Sequence, residues 1–375
     1  MHQELFRSDN LLVRPVGARG GAVVITFGSY ATEPTLDRQG FAEDFLRQIG
    51  VDAIHVINRR NRWYQHPERT AALAAVADAA RAYDRVITYG SSMGGYAAWR
   101  YAADCGADTA IALSPQFSGD PNVVPWETRW QADVARTRFS EPAYVGGARG
   151  YVFYDPRLAP DARHAAMIAA ASGAVRIPVP FGGHPVGPLL VETGVLQQAI
   201  RAIMAGTFDS ASVRPQIRRE RSRSQHLHFV MAQQCADRHT ETALRLLARA
   251  AEIEPESHIL SARAVLLDQL GRSGEAAPLH VAALRRTPGN THARISYALH
   301  QEMMGDAGGA ARSLGEAAKG QSGSLLLLVR VRQVRLWLRR HGLHTIDRWL
   351  ERAIARSARS PFHAHLVRWI GRYLP

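Results

Sequence analysis

Five residues, Gly90-Ser91-Ser92-Met93-Gly94, constrain this chain more than any others. They lie between an apolar run, Arg85-Val86-Ile87-Thr88-Tyr89, and an alanine-rich stretch from Gly95 to Ala103. The first reads as a strand and the second as a helix. Passing from one to the other in so few residues requires a sharp turn. The two outer glycines allow close approach of strand and helix and permit strained dihedrals. The pattern G-x-S-x-G in that setting sets the central serine, Ser92, at the tip of the turn with its hydroxyl exposed.

The surrounding sequence repeats the same alternation. Ala22–Phe27, Asp52–Ile57, Thr109–Leu113, Gly150–Tyr154 and Val175–Val179 are short apolar runs. Thr35–Ile49, Glu68–Tyr83 and Asp161–Ala171 read as helices between them. Continuous apolar strands alternating with helices predict a doubly wound, mostly parallel α/β sheet over residues 1–208.

Residues 209–225 break that pattern. Ser210, Ser212, Pro215, Arg218, Arg219, Arg221, Ser222, Arg223 and Ser224 read as a basic polar linker. Residues 226–375 read as wholly helical and repetitive. Ala243, Ala277 and Ala311 fall 34 residues apart, as do Gly271 and Gly305, while Pro255 and Pro288 are 33 apart. That period, with helix-turn-helix units, resembles tetratricopeptide repeats. The large aromatic positions of that repeat are mostly missing, and the last stretch, Leu325–Pro375, is irregular. Trp337, Trp349, Trp369 and Tyr373 in it read as packing of a terminal cap.

Composition narrows the class. The net charge is +13, but arginine is dispersed among glutamate and aspartate and no nucleic-acid motif accompanies it, so no specific nucleic-acid partner is expected. Cys105 and Cys235 sit far apart in apolar helical patterns, as buried free thiols rather than a disulfide or a zinc pair. The sequence starts without a secretory signal pattern and contains no apolar run long enough to span a membrane, which points to the cytoplasm.

A serine hydroxyl needs a base to remove its proton, and the base needs a carboxylate to hold its tautomer. Asp155 follows the run Tyr151–Tyr154, and a carboxylate at a strand's C-terminal end points to where open sheets carry their sites. His184 follows the next strand in Pro180-Phe181-Gly182-Gly183-His184-Pro185. Ser92, Asp155 and His184 are therefore the expected triad. Asp120, after the preceding strand, and Asp161, at a helix start, are the rival acids. His164 reads as a surface residue of the helix Asp161–Ala171. An oxyanion hole needs two backbone donors. The amide of Met93 and that of Ser29, with Gly28 permitting the turn, are the expected pair.

With these parts the chain resembles the α/β-hydrolase superfamily over about its first 205 residues, through Gly90–Gly94, Asp155 and His184. The resemblance implies one antiparallel strand near the N-terminus, about Asn10–Val16. It also implies an acyl-serine intermediate and no metal or organic cofactor. The elbow Ser91–Tyr96 is further similar to those of bacterial hydrolases and of accessory secretory-system O-acetyltransferases. The chain departs from known lipases in lacking a His-Gly-Gly-Gly loop and a long lid. Its insertion, Ser118–Tyr144, is short and carries Trp126, Arg129 and Trp130.

Gly28, Tyr30, Asn61, Trp63, Tyr64, Arg129 and Trp130 are the expected substrate contacts. Arginine, asparagine and aromatic rings suit a polar, anionic or sugar-containing substrate; packing between loops is the other reading of Trp63 and Trp130. The expected function is cleavage of a small-acyl or glycan-linked carboxylic ester, with the repeats binding a protein partner. An O-acyltransferase, a peptidase on the same triad, and a repeat-based adaptor with a vestigial hydrolase domain are the alternatives. Oligomeric state is not legible.

Overall fold

The computed structural model describes residues 4–17, 20–31, 34–140, 148–321 and 323–357. The chain divides into two compact units, residues 1–223 and 224–375.

The first unit is built on eight strands among the described residues. These are β1 (Phe6–Arg7), β2 (Leu11–Val16), β3 (Ala22–Phe27), β4 (Asp52–Asn58), β5 (Arg85–Ser91), β6 (Thr109–Leu113), β7 (Arg149–Tyr154) and β8 (Val175–Pro178). They form one sheet in the order β1-β2-β4-β3-β5-β6-β7-β8. β2 runs antiparallel to β4, with Val13 opposite Val56, and every pair from β4 to β8 is parallel. All seven residues of β4 are buried, so both faces of the sheet are covered there. This is the α/β-hydrolase fold, and the antiparallel strand lies at Leu11–Val16, where the resemblance placed it.

The helices between strands are α1 (Glu43–Gln48), α2 (Arg69–Ala80), α3 (Met93–Arg100), α4 (Gln131–Val134) and α5 (Ala159–Ser172), and α6 (Gly187–Glu192) and α7 (Val195–Ala205) follow β8. The helix expected over Thr35–Ile49 is thus confined to α1. Gly40 leaves no room for a side chain there, since a Cβ on it would lie 2.1 Å from the buried His55 ring. The expected linker is not open chain either. Residues Val213–Glu220 form α8, which buries Val213, Gln216 and Ile217. The arginines that suggest a linker all lie on its other faces or beyond its end.

The second unit is helical: α9 (Gln225–Cys235), α10 (Thr240–Ile253), α11 (Ser257–Gln269), α12 (Ser273–Arg286), α13 (Thr291–Met303), α14 (Ala307–Ala318), α15 (Gly323–Arg340) and α16 (His344–Ser357). Consecutive helices pack as pairs, α9 with α10, α11 with α12 and α13 with α14. The buried alanines of the second helices are Ala243, Ala276 and Ala310, each followed two turns later by Ala250, Ala283 and Ala317. The spacing is therefore 33 and then 34, and Ala277 and Ala311 stand one residue off the buried face. Small residues at these sites let paired helices approach closely, and stacking buries faces that one unit alone leaves open. Trp337 and Trp349 do not pack as a cap: they are 53% and 62% exposed. Trp369 and Tyr373 lie outside the described residues. Cys105 is buried and Cys235 half-buried, both free.

Candidate active site

The turn after β5 is as tight as its glycines suggest. A Cβ on Gly90 would sit 2.1 Å from the Gly94 carbonyl oxygen, and one on Gly94 would sit 2.1 Å from that of Phe27. Both distances are impossible for a real side chain, so strand, helix and the end of β3 meet only because these residues are glycine. Between them Ser92 holds φ 53 and ψ −118, a strained conformation for a residue with a side chain. Its amide donates to the Leu113 carbonyl at 2.8 Å, pinning the turn to β6.

The Ser92 hydroxyl lies 2.9 Å from His184 Nε2. His184 Nδ1 in turn lies 2.7 Å from Asp161 Oδ2. With Asp161 ionised, Nδ1 carries the proton and Nε2 presents its lone pair to the serine. The structure thus brings together Ser92 and His184 from the expected set, but the carboxylate on the imidazole is Asp161, in the first turn of α5, and not Asp155. Asp155 is fully buried and faces elsewhere. Its Oδ2 accepts from the Gly183 amide at 3.0 Å and its Oδ1 from the Arg157 amide at 2.9 Å. It ties the end of β7 to the loop that delivers His184. Asp120 closes its own turn, accepting from the amide and side chain of Asn122.

Asp161 is not alone. Its second oxygen, Oδ1, accepts from Arg129 Nη1 at 2.6 Å. Arg129 also donates through Nε and Nη2 to Glu127, at 3.0 and 2.6 Å. Glu127 Oε2 lies 3.1 Å from His164 Nε2, and His164 Nδ1 accepts the Phe117 amide at 3.0 Å. That last bond fixes the tautomer: Nε2 of His164 carries the proton and donates it to Glu127. His164 is fully buried in this chain of groups, not on the surface.

The electrostatics follow from the same partners. Burial pushes the Asp161 carboxyl up, but the His184 hydrogen bond and the Arg129 charge outweigh it and hold the group below its usual range. Burial likewise opposes ionisation of Glu127, and bonds from His164 and Arg129 win, drawing it down to about 2. Burial pushes His164 below its ordinary value despite Glu127.

The other expected contacts divide. Arg129 spends its guanidinium on two carboxylates, Asp161 and Glu127. Trp130 packs beside His184, ring centres 5.5 Å apart, and under the Arg129 guanidinium at 4.5 Å. Trp63 and Tyr64 are core residues, 1% exposed. Trp63 packs on Trp130 and Phe139, and the Tyr64 hydroxyl donates to the Gly28 carbonyl at 2.9 Å. Asn61 clasps the backbone of Ala31 with both ends of its amide. Tyr30 is exposed, and its hydroxyl donates to Asp133 at 2.8 Å. Met93 is the first residue of α3, where helical amides have no intrahelical acceptor. The Gly28 carbonyl lies against Gly94, bringing the loop that carries Ser29 up to the same turn.

One contact has no counterpart in the sequence reading. Gln116, 1% exposed, donates from Nε2 to the Ser92 hydroxyl oxygen at 3.1 Å. Its Oε1 accepts from Trp63 Nε1 at 3.3 Å, which assigns the NH2 end to the serine. Its backbone carbonyl accepts from Trp99 Nε1 at 3.1 Å. Ser92 thus has an acceptor for its proton and a donor to its oxygen.

No family model matches the sequence, and no curated protein matches it. Among solved structures, the chain is similar to dienelactone hydrolase from Anabaena variabilis, at 15% identity and TM-score 0.38, covering 55% of this chain and 96% of that one. It is similar to the capsule O-acetyltransferase of Neisseria meningitidis serogroup A, at 9% identity and TM-score 0.39, covering 54% and 94%. Yeast Tom70 is similar at 15% identity and TM-score 0.30, covering 56% of this chain and 39% of that one. At these identities and scores the likenesses assign no chemistry to the chain.

Proposed function

We propose that the sheet unit is a serine hydrolase acting on carboxylic esters through an acyl-serine. The observation that carries this reading is the unbroken path from the Ser92 hydroxyl through His184 to Asp161, set on a strained turn. Ser92 attacks the ester carbonyl while His184 Nε2 takes its proton. Asp161 holds the resulting imidazolium, Arg129 holds Asp161, and Glu127 holds Arg129. The Met93 and Ser29 amides are the proposed donors to the oxyanion; one such donor is worth on the order of 10²–10³ in turnover. His184 returns the proton to the leaving alcohol. Water, activated by the same imidazole, then releases the acid. A sugar or protein hydroxyl in place of that water makes the same site an O-acyltransferase. The exposed Met303, Met304, Trp337 and Trp349 of the helical unit support a role in holding a protein partner.

The test is labelling by a fluorophosphonate probe with hydrolysis of p-nitrophenyl acetate alongside, for wild type, Ser92→Ala and His184→Ala. Labelling and turnover in wild type alone support the reading. Folded wild type that neither labels nor turns over sinks it. Adding glycan alcohols to the acetate assay separates transfer from hydrolysis, through acetylated alcohol formed at the expense of free acetate.

A further inference from the structure

The helical unit holds a second carboxylate–imidazole cluster that the sheet unit's chemistry does not use. Asp268, His280 and His300 come from three successive helices, α11, α12 and α13. All three are buried, at 8%, 0% and 5% exposure. His280 Nε2 lies 2.9 Å from Asp268 Oδ2, and His300 Nδ1 lies 2.9 and 3.1 Å from the two oxygens. One donor atom from each residue falls within 4.8 Å of the others.

Repeat packing does not call for these residues. The buried alanines that align the repeats, Ala243, Ala276 and Ala310, put Leu247, His280 and Leu314 at one equivalent position. The two leucines are 2% and 4% exposed. In the first helices, Ser257 and Thr291, then Ala264 and Ala298, align α11 with α13 and put Leu266 opposite His300. Leucine therefore fills both histidine positions elsewhere in the same unit. Nor is the trio a completed hydrogen-bond network, because His280 Nδ1 is buried with no hydrogen-bond partner among the described residues. A half-satisfied buried polar cluster packs worse than leucine.

From this placement we propose that Asp268, His280 and His300 form a binding site for a divalent transition-metal ion. Two imidazoles and a carboxylate are the donor set that suits zinc and its neighbours. Metal–ligand bonds of about 2.0–2.2 Å bring donor atoms to roughly 3 Å from one another, and Asp268 already lies 2.9 Å from each imidazole. Side chains from three packed helices hold such a set rigidly. Three protein ligands leave coordination positions open. Asp268 and His300 also line a cavity of about 490 Å³, together with Ser296, Gln269 and Arg332, through which a metal and an outside ligand can enter. The site is independent of the reading of Ser92.

The experiment titrates the full chain, freed of metal by chelator, with Zn²⁺ against a chromophoric competitor, and with Co²⁺ followed by its visible absorption. Wild type is expected to take up one equivalent with a Kd in the micromolar range or tighter. His280→Leu and His300→Leu install the residue the other repeats carry, so they should keep the helical circular dichroism while binding falls at least about 100-fold. Stoichiometric binding that both leucine variants retain, or no binding by wild type, overturns the proposal. Should a leucine variant misfold, X-ray absorption of the wild-type complex decides: two imidazoles in the inner shell support the site, and none overturns it.

Discussion

Two regions of this molecule each bury an aspartate against an imidazole, and they differ in what surrounds the pair. In the sheet unit, Asp161 has His184 on one oxygen and Arg129 on the other, and His184 has a serine hydroxyl on its far nitrogen. In the helical unit, Asp268 has an imidazole on each oxygen, and among the described residues no hydroxyl bonds to either imidazole. An aspartate–histidine contact is thus chemically neutral by itself. With a cationic anchor and a strained nucleophile beside it the contact is the proton relay we propose; with a second imidazole it is the metal site we propose.

The largest test of that contrast removes the acid. Asp161→Asn should lower ester turnover by about 10⁴-fold, because the amide stabilises the wrong tautomer and no imidazolium. Asp155→Asn leaves His184 its partner and only loosens the loop, so its loss should stay within about 10²-fold. Single-turnover acylation with p-nitrophenyl acetate measures both. Equal losses would show that the two carboxylates act together.

A second test breaks the anchor. Glu127→Gln leaves Arg129 and His164 without their shared anion, and breaking a buried pair costs about 3–5 kcal/mol in urea unfolding at neutral pH. The sign of the pH dependence follows from the depressed carboxyl. Glu127 in the folded chain titrates at about 2 against an ordinary value of 4.5. Its contribution is complete above 4.5 and is lost as the pH falls towards 2. The variant should therefore lack the part of the acid destabilisation that wild type shows across that window. No such difference between the two curves would mean that the folded chain does not hold the Glu127 carboxyl below its ordinary value.

What the sequence makes legible has a physical boundary. The strands are visible because a sheet covered on both faces needs unbroken apolar runs, as in Ala22–Phe27. The elbow is visible because only glycine fits at 90 and 94. The choice between Asp155 and Asp161 is not visible, since both follow β7 and both satisfy the order serine, acid, base; which one meets His184 depends on the three-dimensional course of α5. Gln116 left no signal because an amide neither titrates nor forms a motif. In the helical unit the period was legible, but its register was not, because alanines at 276 and 277 carry the same spacing and only burial separates them. Val213 and Ile217 were hidden among arginines for the same reason.

Smaller effects sharpen the comparison from each side. Gln116→Met removes a neutral donor from Ser92 and should cost about tenfold in turnover, with His184 still in place. A change confined to KM would instead make Gln116 a substrate contact.

The smallest effect belongs to the helical unit. Asp306 caps α14, its Oδ1 accepting from the Gly309 amide at 2.7 Å. Asp306→Ala exposes that amide and should cost about 1 kcal/mol, lowering the thermal midpoint of the unit by roughly 2–4 °C. In stacked repeats such a loss is felt by the unit and its neighbours. It should therefore leave ester turnover within about twofold, because an uncoupled site transmits none of a cap's ~1 kcal/mol. If turnover falls as the midpoint falls, the helical unit contributes to the chemistry of Ser92, and the two regions are one device with two clusters.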